Sequence, residues 1–177
     1  MYQIPFDETR RHHKKKNLPP ERIREILSSA KWGTLSTVSE NGEAYGAPIG
    51  FAFDEGSGTI IFHTANKGHK HENMSRDQRV CFSIVGSENL ITGKLAASFE
   101  SLVIFGTMEK IENKDDSLAA AIIFCKKFAP KTTEALLGDE DDPEYNDMAI
   151  MMEKASQFMA MYRLVPNHIS SKQRVLL

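Results

Sequence analysis

At 177 residues, with 41% hydrophobic and 26% charged residues, the chain has the composition of an ordinary soluble domain with enough length for one core. Lys plus Arg at 22 against Asp plus Glu at 24 leaves a net charge of -2, so no global field exists to drive binding to nucleic acid or anionic lipid. Any anion site must therefore be local. The two cysteines, Cys81 and Cys125, lie far apart inside apolar runs, which excludes a disulfide framework and fits small buried hydrophobes in a reducing compartment. The longest strongly apolar stretch, Leu118 to Cys125, is too short for a membrane span, and no apolar stretch stands behind the charges of the opening MYQIPFDETRRHHKKK, so a cytoplasmic location is expected.

Residues 1–20 read as a basic extension, with Arg10, Arg11, Lys14, Lys15 and Lys16 close together and no interleaved aromatics, and residues 21–177 as a single domain. Pro19-Pro20-Glu21 opens a helix whose inner face is Ile23, Ile26, Leu27 and Ala30 and which is expected to end near Trp32-Gly33. The period then changes to strand. Thr34 to Val38 alternates, and Asn41-Gly42 is the pair favoured in a type I′ hairpin. A second strand is expected over Ala44 to Phe53, a turn over Asp54 to Gly58, and a third strand over Thr59 to Thr64, which together make an antiparallel meander.

A short helix is expected over His71 to Arg76, a fourth strand over Val80 to Val85, and a long fifth strand over Ser98 to Ile111 with a bulge or bend at Gly106. So many strands with edges to close suggest a small barrel. Ser117 to Phe128 is amphipathic, with Asp115, Asp116 or Ser117 as its cap and Pro130 beyond its end. An acidic loop over Gly138 to Asp147, a helix over Met148 to Ala155 and a strand from Phe158 to Val165, ending before Pro166, complete the chain. The methionines at 148, 151, 152, 159 and 161 read as core filler.

Several motifs fail on inspection. Gly56-Ser57-Gly58 lacks the third glycine and the helix of a dinucleotide fingerprint, and Asp139 to Asp142 lacks the glycine of a calcium loop. The one dense cluster is Phe62 to His71. It leaves a strand, bends at Gly68 and enters a helix, where backbone amides and the helix dipole favour an anion. Lys70 offers a fixed cation, His69 or His63 a further donor, and Thr64 a hydroxyl. A solvated loop remains open on residue types alone. A metal set of His63, His69 and His71 is disfavoured because a helix turns the last two apart, and no metal is expected.

The blocks Leu35 to Val38, Tyr45-Gly46-Ala47-Pro48-Ile49-Gly50-Phe51, Phe62-His63-Thr64-Ala65 with Gly68-His69-Lys70, Arg79-Val80-Cys81-Phe82, Phe99 to Gly106 and His168 to Lys172, in this order, resemble the FMN-binding split barrels of the pyridoxamine 5′-phosphate oxidase superfamily, and within it the nitroimidazole-resistance (Nim-type) branch. The resemblance implies a mainly β fold with flanking helices, an antiparallel split β-barrel. It implies FMN as cofactor, a homodimer with the flavin at the interface, a small-molecule substrate, and NADH or NADPH as electron donor. By the same resemblance Ala47, Pro48, Ile49 and Gly50 run along the flavin ring, His63 and Thr64 lie beside the flavin, and His69 and Lys70 hold its phosphate. Ser101 would reach the flavin of the partner chain. His63 is the candidate catalytic residue, for substrate positioning or proton delivery.

The implied activity is that of an FMN-dependent oxidoreductase acting on nitroaromatic or nitroimidazole-type compounds; the alternative is a flavin- or haem-binding sensor or carrier. Position 69 is His where many relatives carry Arg. No Trp follows Trp32, so the Arg- and Trp-bearing ending of the pyridoxamine phosphate oxidases proper is missing, and vitamin B6 oxidation is not implied.

Overall fold

A computed structural model describes residues 17–90, 97–136, 154–155 and 157–174. The basic segment up to residue 16, the acidic loop, most of the helix expected over residues 148–155, and Met148, Met151 and Met152 lie outside the described residues.

Helix α1 (Pro20–Ser29) buries Ile23, Ile26 and Leu27, as the spacing predicts. It stops at Ser29, short of the expected end, because Trp32 and Gly33 are taken into strand β1 (Trp32–Val38), where they pair with Gly50 and Ile49 of β2 (Ala44–Gly50). The β1–β2 turn differs from the expected type I′. That turn needs two residues with positive φ, whereas only Gly42 (φ 84°) has one. Ser39 N–H donates to Glu43 O at 2.8 Å and Gly42 N–H to Ser39 O at 2.9 Å, closing a three-residue loop instead.

The expected second strand is broken at Phe51 into β2 and β3 (Ala52–Asp54), and β3 forms a hairpin with β4 (Thr59–Ala65). After helix α2 (His69–Arg76) come β5 (Arg79–Leu90), β6 (Ala97–Lys110), α3 (Lys114–Phe128), α4 (Pro130–Leu136) and β7 (Met159–Arg174). The seven strands form one antiparallel sheet in the order β2-β1-β5-β6-β7-β4-β3. Flat, this sheet would hold β2 and β3 about 29 Å apart at the usual strand spacing. A single residue, Phe51, joins them, so the sheet must curl until its two edges meet. Because β2 and β3 are not hydrogen-bonded to each other, the result is a split barrel.

The core fills the curl. Phe82 of β5 receives Phe51 and Phe62 edge-on, with centroids 5.1 and 5.0 Å away, and all three rings are buried. Leu35, Ile84, Leu102, Ile104, Leu164 and Ile169 surround them. Helix α1 is tied to the sheet by Arg22, whose fork donates to Glu100 at 2.6 to 3.1 Å, and this contact holds the Glu100 carboxyl below its ordinary range. Helix α3 begins earlier than expected because Asn113 caps it, its side chain accepting from the amides of Asp115 and Asp116. A second cluster of Ala52, Ile61 and Ala120 lies outside the barrel, with Ile123, Phe124 and Met161 against it. Both cysteines are half-buried free thiols that burial pushes upward.

Strand β7 does not end at Pro166. The β6–β7 register slips between Phe105 and Gly106, placing Pro166 opposite Gly106 and leaving Asn167 as the extra residue. The expected irregularity at Gly106 is therefore the feature that lets β7 continue through a proline. A Cβ at Gly106 would stand 2.2 Å from Val165 O and 2.7 Å from Leu164 Cδ1. Gly106→Ala is expected to lower stability by about 1–3 kcal/mol through that overpacking, read as a drop in the chemical-denaturation midpoint; an unchanged midpoint would show that β7 relaxes freely.

Candidate functional site

The last β3–β4 pair is Ala52 with Ile61, so Phe62 to Ala65 of β4 continue past β3 and are held only by β7, where His63 faces Met161 and Thr64 faces Ala160. Strand β2 is likewise paired on one side only, by β1. The two strands approach each other without pairing, and this is the split of the barrel. Along β2, Ala47, Ile49 and Gly50 are buried and Pro48 is exposed. Proline suits such an edge because it has no N–H to donate.

Successive β4 side chains leave opposite faces of the strand. Thr64 follows the Ile60 and Phe62 side. His63 follows Ile61 to the face covered by α3, where its ring meets Phe124 edge-on at 4.6 Å and 83°. Although His63 keeps much of its surface in solvent, its partial burial lowers its pKa from the ordinary 6.5 and so favours the neutral imidazole. On the same helix, Phe128 stacks on Phe124 at 4.5 Å and closes over Gly50, where a Cβ would stand 3.2 Å from its ring.

Beyond β4 the chain is pinned by Asn66, whose N–H donates to Phe158 O and whose amide donates to Gln157 O. It then turns at Gly68, with φ 97° and ψ 176°, a conformation that strongly favours glycine, and enters α2. The helix starts two residues earlier than expected, which makes His69 and Lys70 its first two residues. No side chain caps it, and its first turn closes with Glu72 N–H on Gly68 O at 3.0 Å. The amides of His69, Lys70 and His71 precede that bond and point out of the helix end, where the dipole favours negative charge.

The His69 ring stacks on Tyr45 at the start of β2, centroids 5.1 Å apart and 23° between planes, and Lys70 is half-buried beside it. His71 turns away to the Tyr162 hydroxyl, 2.7 Å from its Nδ1. Asn73 is buried on another side, its amide donating to Thr37 Oγ1 at 3.0 Å and to Ser39 Oγ at 3.5 Å. The three histidines thus diverge toward Phe124, Tyr45 and Tyr162, and among the described residues no group of three metal-ligating side chains is assembled.

Seven of the sequence-derived site positions after Ala47 and including it, namely Ala47, Pro48, Ile49, Gly50, Thr64, His69 and Lys70, lie with His63 on the two strands of the split and the helix that follows β4. Ser101 does not join them. It sits half-buried on β6 between Val85 and Lys172, three strands from β2 in the sheet order. Sequence reasoning missed Tyr45, Phe124, Asn73 and Tyr162. Two of these carried a local signal: Tyr45 opens one of the blocks that carry the family resemblance, and Asn73 is a polar residue beside Met74 in a short helix.

Among the described residues no helix is long and apolar enough to cross a membrane. No curated protein matches the sequence. Solved structures do resemble it. A candidate 5-nitroimidazole antibiotic resistance protein from Bacteroides thetaiotaomicron superposes with a TM-score of 0.66 at 18% identity, covering 88% of this chain and 84% of that one. A FAD-binding protein from Mesorhizobium loti gives 0.60 at 14% identity, covering 90% and 98%. The flavocytochrome Anf3 from Azotobacter vinelandii gives 0.71 at 18% identity, covering 99% and 77%. At these identities the likeness is one of fold. Residues 19–139, more than half of the chain, match the family model described as pyridoxamine 5′-phosphate oxidase, and the split barrel, the β4 overhang and the glycine-hinged helix after it are thus those of a member of the pyridoxamine 5′-phosphate oxidase family.

Proposed function

We propose that the protein binds FMN as a homodimer and works as an FMN-dependent oxidoreductase of the Nim-type branch, with NADH or NADPH as electron donor and nitroaromatic or nitroimidazole-type compounds as substrates. The observation that carries this reading is the uncapped first turn of α2 with His69 and Lys70 as its first residues. A phosphomonoester brings about -1.5 to -2 charges and three acceptor oxygens, and this donor set of amides, ammonium and imidazole suits it. Thr64 adds a hydroxyl at the strand end. The unpaired edge of β2 leaves the backbone of Ala47 to Gly50 available to the flavin ring, and Ser101, remote within its own chain, suits a contribution to the partner's site.

A bound flavin supplies hydride transfer, while the protein binds it, orients it and keeps water from it. Burial against Phe124 favours the neutral form of His63, which can position a substrate by hydrogen bonding at a ring nitrogen; to deliver a proton the ring must first take one up and pass through the imidazolium. The fold neighbours add support: one binds FAD, one is a candidate nitroimidazole resistance protein. A second reading is a flavin- or haem-binding module without turnover; the match to a flavocytochrome over 99% of this chain supports flavin or haem as the bound group and does not bear on turnover.

The visible spectrum of the purified protein separates these readings. Flavin bands are expected; a Soret band would support haem, and a colourless protein that takes up no added FMN would overturn the flavin reading. Anaerobic bleaching by NADH or NADPH, followed by reoxidation with a nitroimidazole, is expected of the enzyme and not of the module. Lys70→Ala should weaken FMN binding about tenfold or more, the worth of a charge-assisted hydrogen bond, with little change in melting temperature; unchanged affinity would mean the phosphate lies elsewhere.

His63 also makes a pH prediction. Its folded pKa lies below the unfolded 6.5, so the unfolded chain binds more protons as pH falls through that window, and stability is lost there. The melting temperature of His63→Gln should fall less than that of the wild type between pH 7 and pH 5. Parallel curves for the two proteins would show that Phe124 does not hold the ring neutral.

A further inference from the structure

Helix α2 is only eight residues long and has no capping side chain. A helix this short does not hold itself, and the exposed Lys67 and Gly68 before it offer no restraint. The direction of its first-turn amides is therefore set by contacts outside the helix backbone: Asn66 pinned before it, His69 stacked on Tyr45, and the side chains that leave its far side. His71 and Asn73 are two residues apart, about 200° around the axis, so their side chains leave on nearly opposite sides. Asn73 bonds Thr37 of β1, and His71 bonds Tyr162 of β7, strands that β5 and β6 separate in the sheet. The helix is braced across the end of the barrel.

We infer that the Tyr162 hydroxyl, acting through His71, is a positioning group for the phosphate end of the cofactor, holding the open first turn of α2 in place against β7. This rests on the reading above that the phosphate binds at that turn. Tyr162 suits the role because its ring is buried and its place is fixed twice, by pairing with Phe62 in β4 and with Lys110 in β6. Burial and Glu112 push the phenol upward, so it keeps its proton through the neutral range, and the contact is a hydrogen bond whichever ring nitrogen of His71 carries the imidazole proton. With His69 stacked on Tyr45, the first and third residues of the helix are held by different strands, and Lys70 lies between them.

Riboflavin lacks the phosphate, so comparing it with FMN isolates this end of the site. Both ligands are titrated by flavin fluorescence into the wild type, Tyr162→Phe, His71→Ala and the double variant, with thermal melts of each. Tyr162→Phe is expected to weaken FMN binding about three- to tenfold, the worth of one hydrogen bond, and to change riboflavin binding less than about twofold. The double variant is expected to lose little more than the worse single one, because the two groups act as one unit. An unchanged FMN-to-riboflavin ratio in Tyr162→Phe, or losses that multiply in the double variant, would overturn the positioning role while leaving the phosphate site intact. A wild type that binds FMN no tighter than riboflavin would overturn the phosphate placement itself and the positioning role with it.

Discussion

Phe51 stands where one residue must join the two edges of a seven-stranded sheet, and the rest of the molecule is arranged around that joint. With β2 ending at Gly50 and β3 starting at Ala52, the sheet cannot stay open. Burying the Phe51 ring against Phe82, itself in contact with Phe62, gives the curl its favourable term, about 1.5–3 kcal/mol for each fully buried ring. From outside, Lys127 of α3 lies 4.2 Å from the centroid of the same ring and donates to Ala30 O at 2.5 Å. The last turn of α1 has no basic residue of its own, so this distant lysine supplies the cation that a helix C-terminus favours. Burial, with Lys31 nearby, draws Lys127 down to about 8, the cost of placing an ammonium at so crowded a corner.

The split follows from the same joint. Because β2 and β3 meet end to end rather than side by side, β2 keeps an unpaired edge and β4 runs past its partner for four residues. Both strands have backbone free to meet a ligand there, and the chain leaving β4 turns directly into α2. The candidate site is thus a consequence of how the barrel fails to close. The aromatic side chains of α3 floor one side of it, Phe128 against Gly50 and Phe124 against His63.

Much of this was legible in local patterns. The alternation of Thr34 to Val38, the β-branched run of Thr59 to Thr64 and the bulge signal of Gly106 all depend on neighbours in sequence, and each element formed where those signals lie. The failures came where a local pattern allowed two geometries or where distant residues decided. Asn41-Gly42 is a type I′ signal only if both residues can take positive φ, and the three-residue loop used here needs it of Gly42 alone. Pro166 reads as a stop until Gly106, sixty residues earlier, is seen to leave room opposite it. The sequence pattern starts α2 two residues late because His69 and Lys70 carry no capping pattern, while Asn73 on Thr37 and His71 on Tyr162 help to hold the helix.

The sequence by itself determined the class of strands and helices, the dense strand-to-helix cluster from Phe62 to His71 in a chain of net charge -2, and the family to which its ordered blocks point. These are properties of short segments, set by residue type and spacing. Only the tertiary structure decided that His63, His69 and His71 face three different aromatic partners, that Ser101 stands apart from the other site positions, and that a buried tyrosine from β7 braces the helix. Those outcomes depend on which strands become neighbours when the sheet curls at Phe51, and contacts between residues 24 to 91 positions apart leave no periodicity in the chain to read.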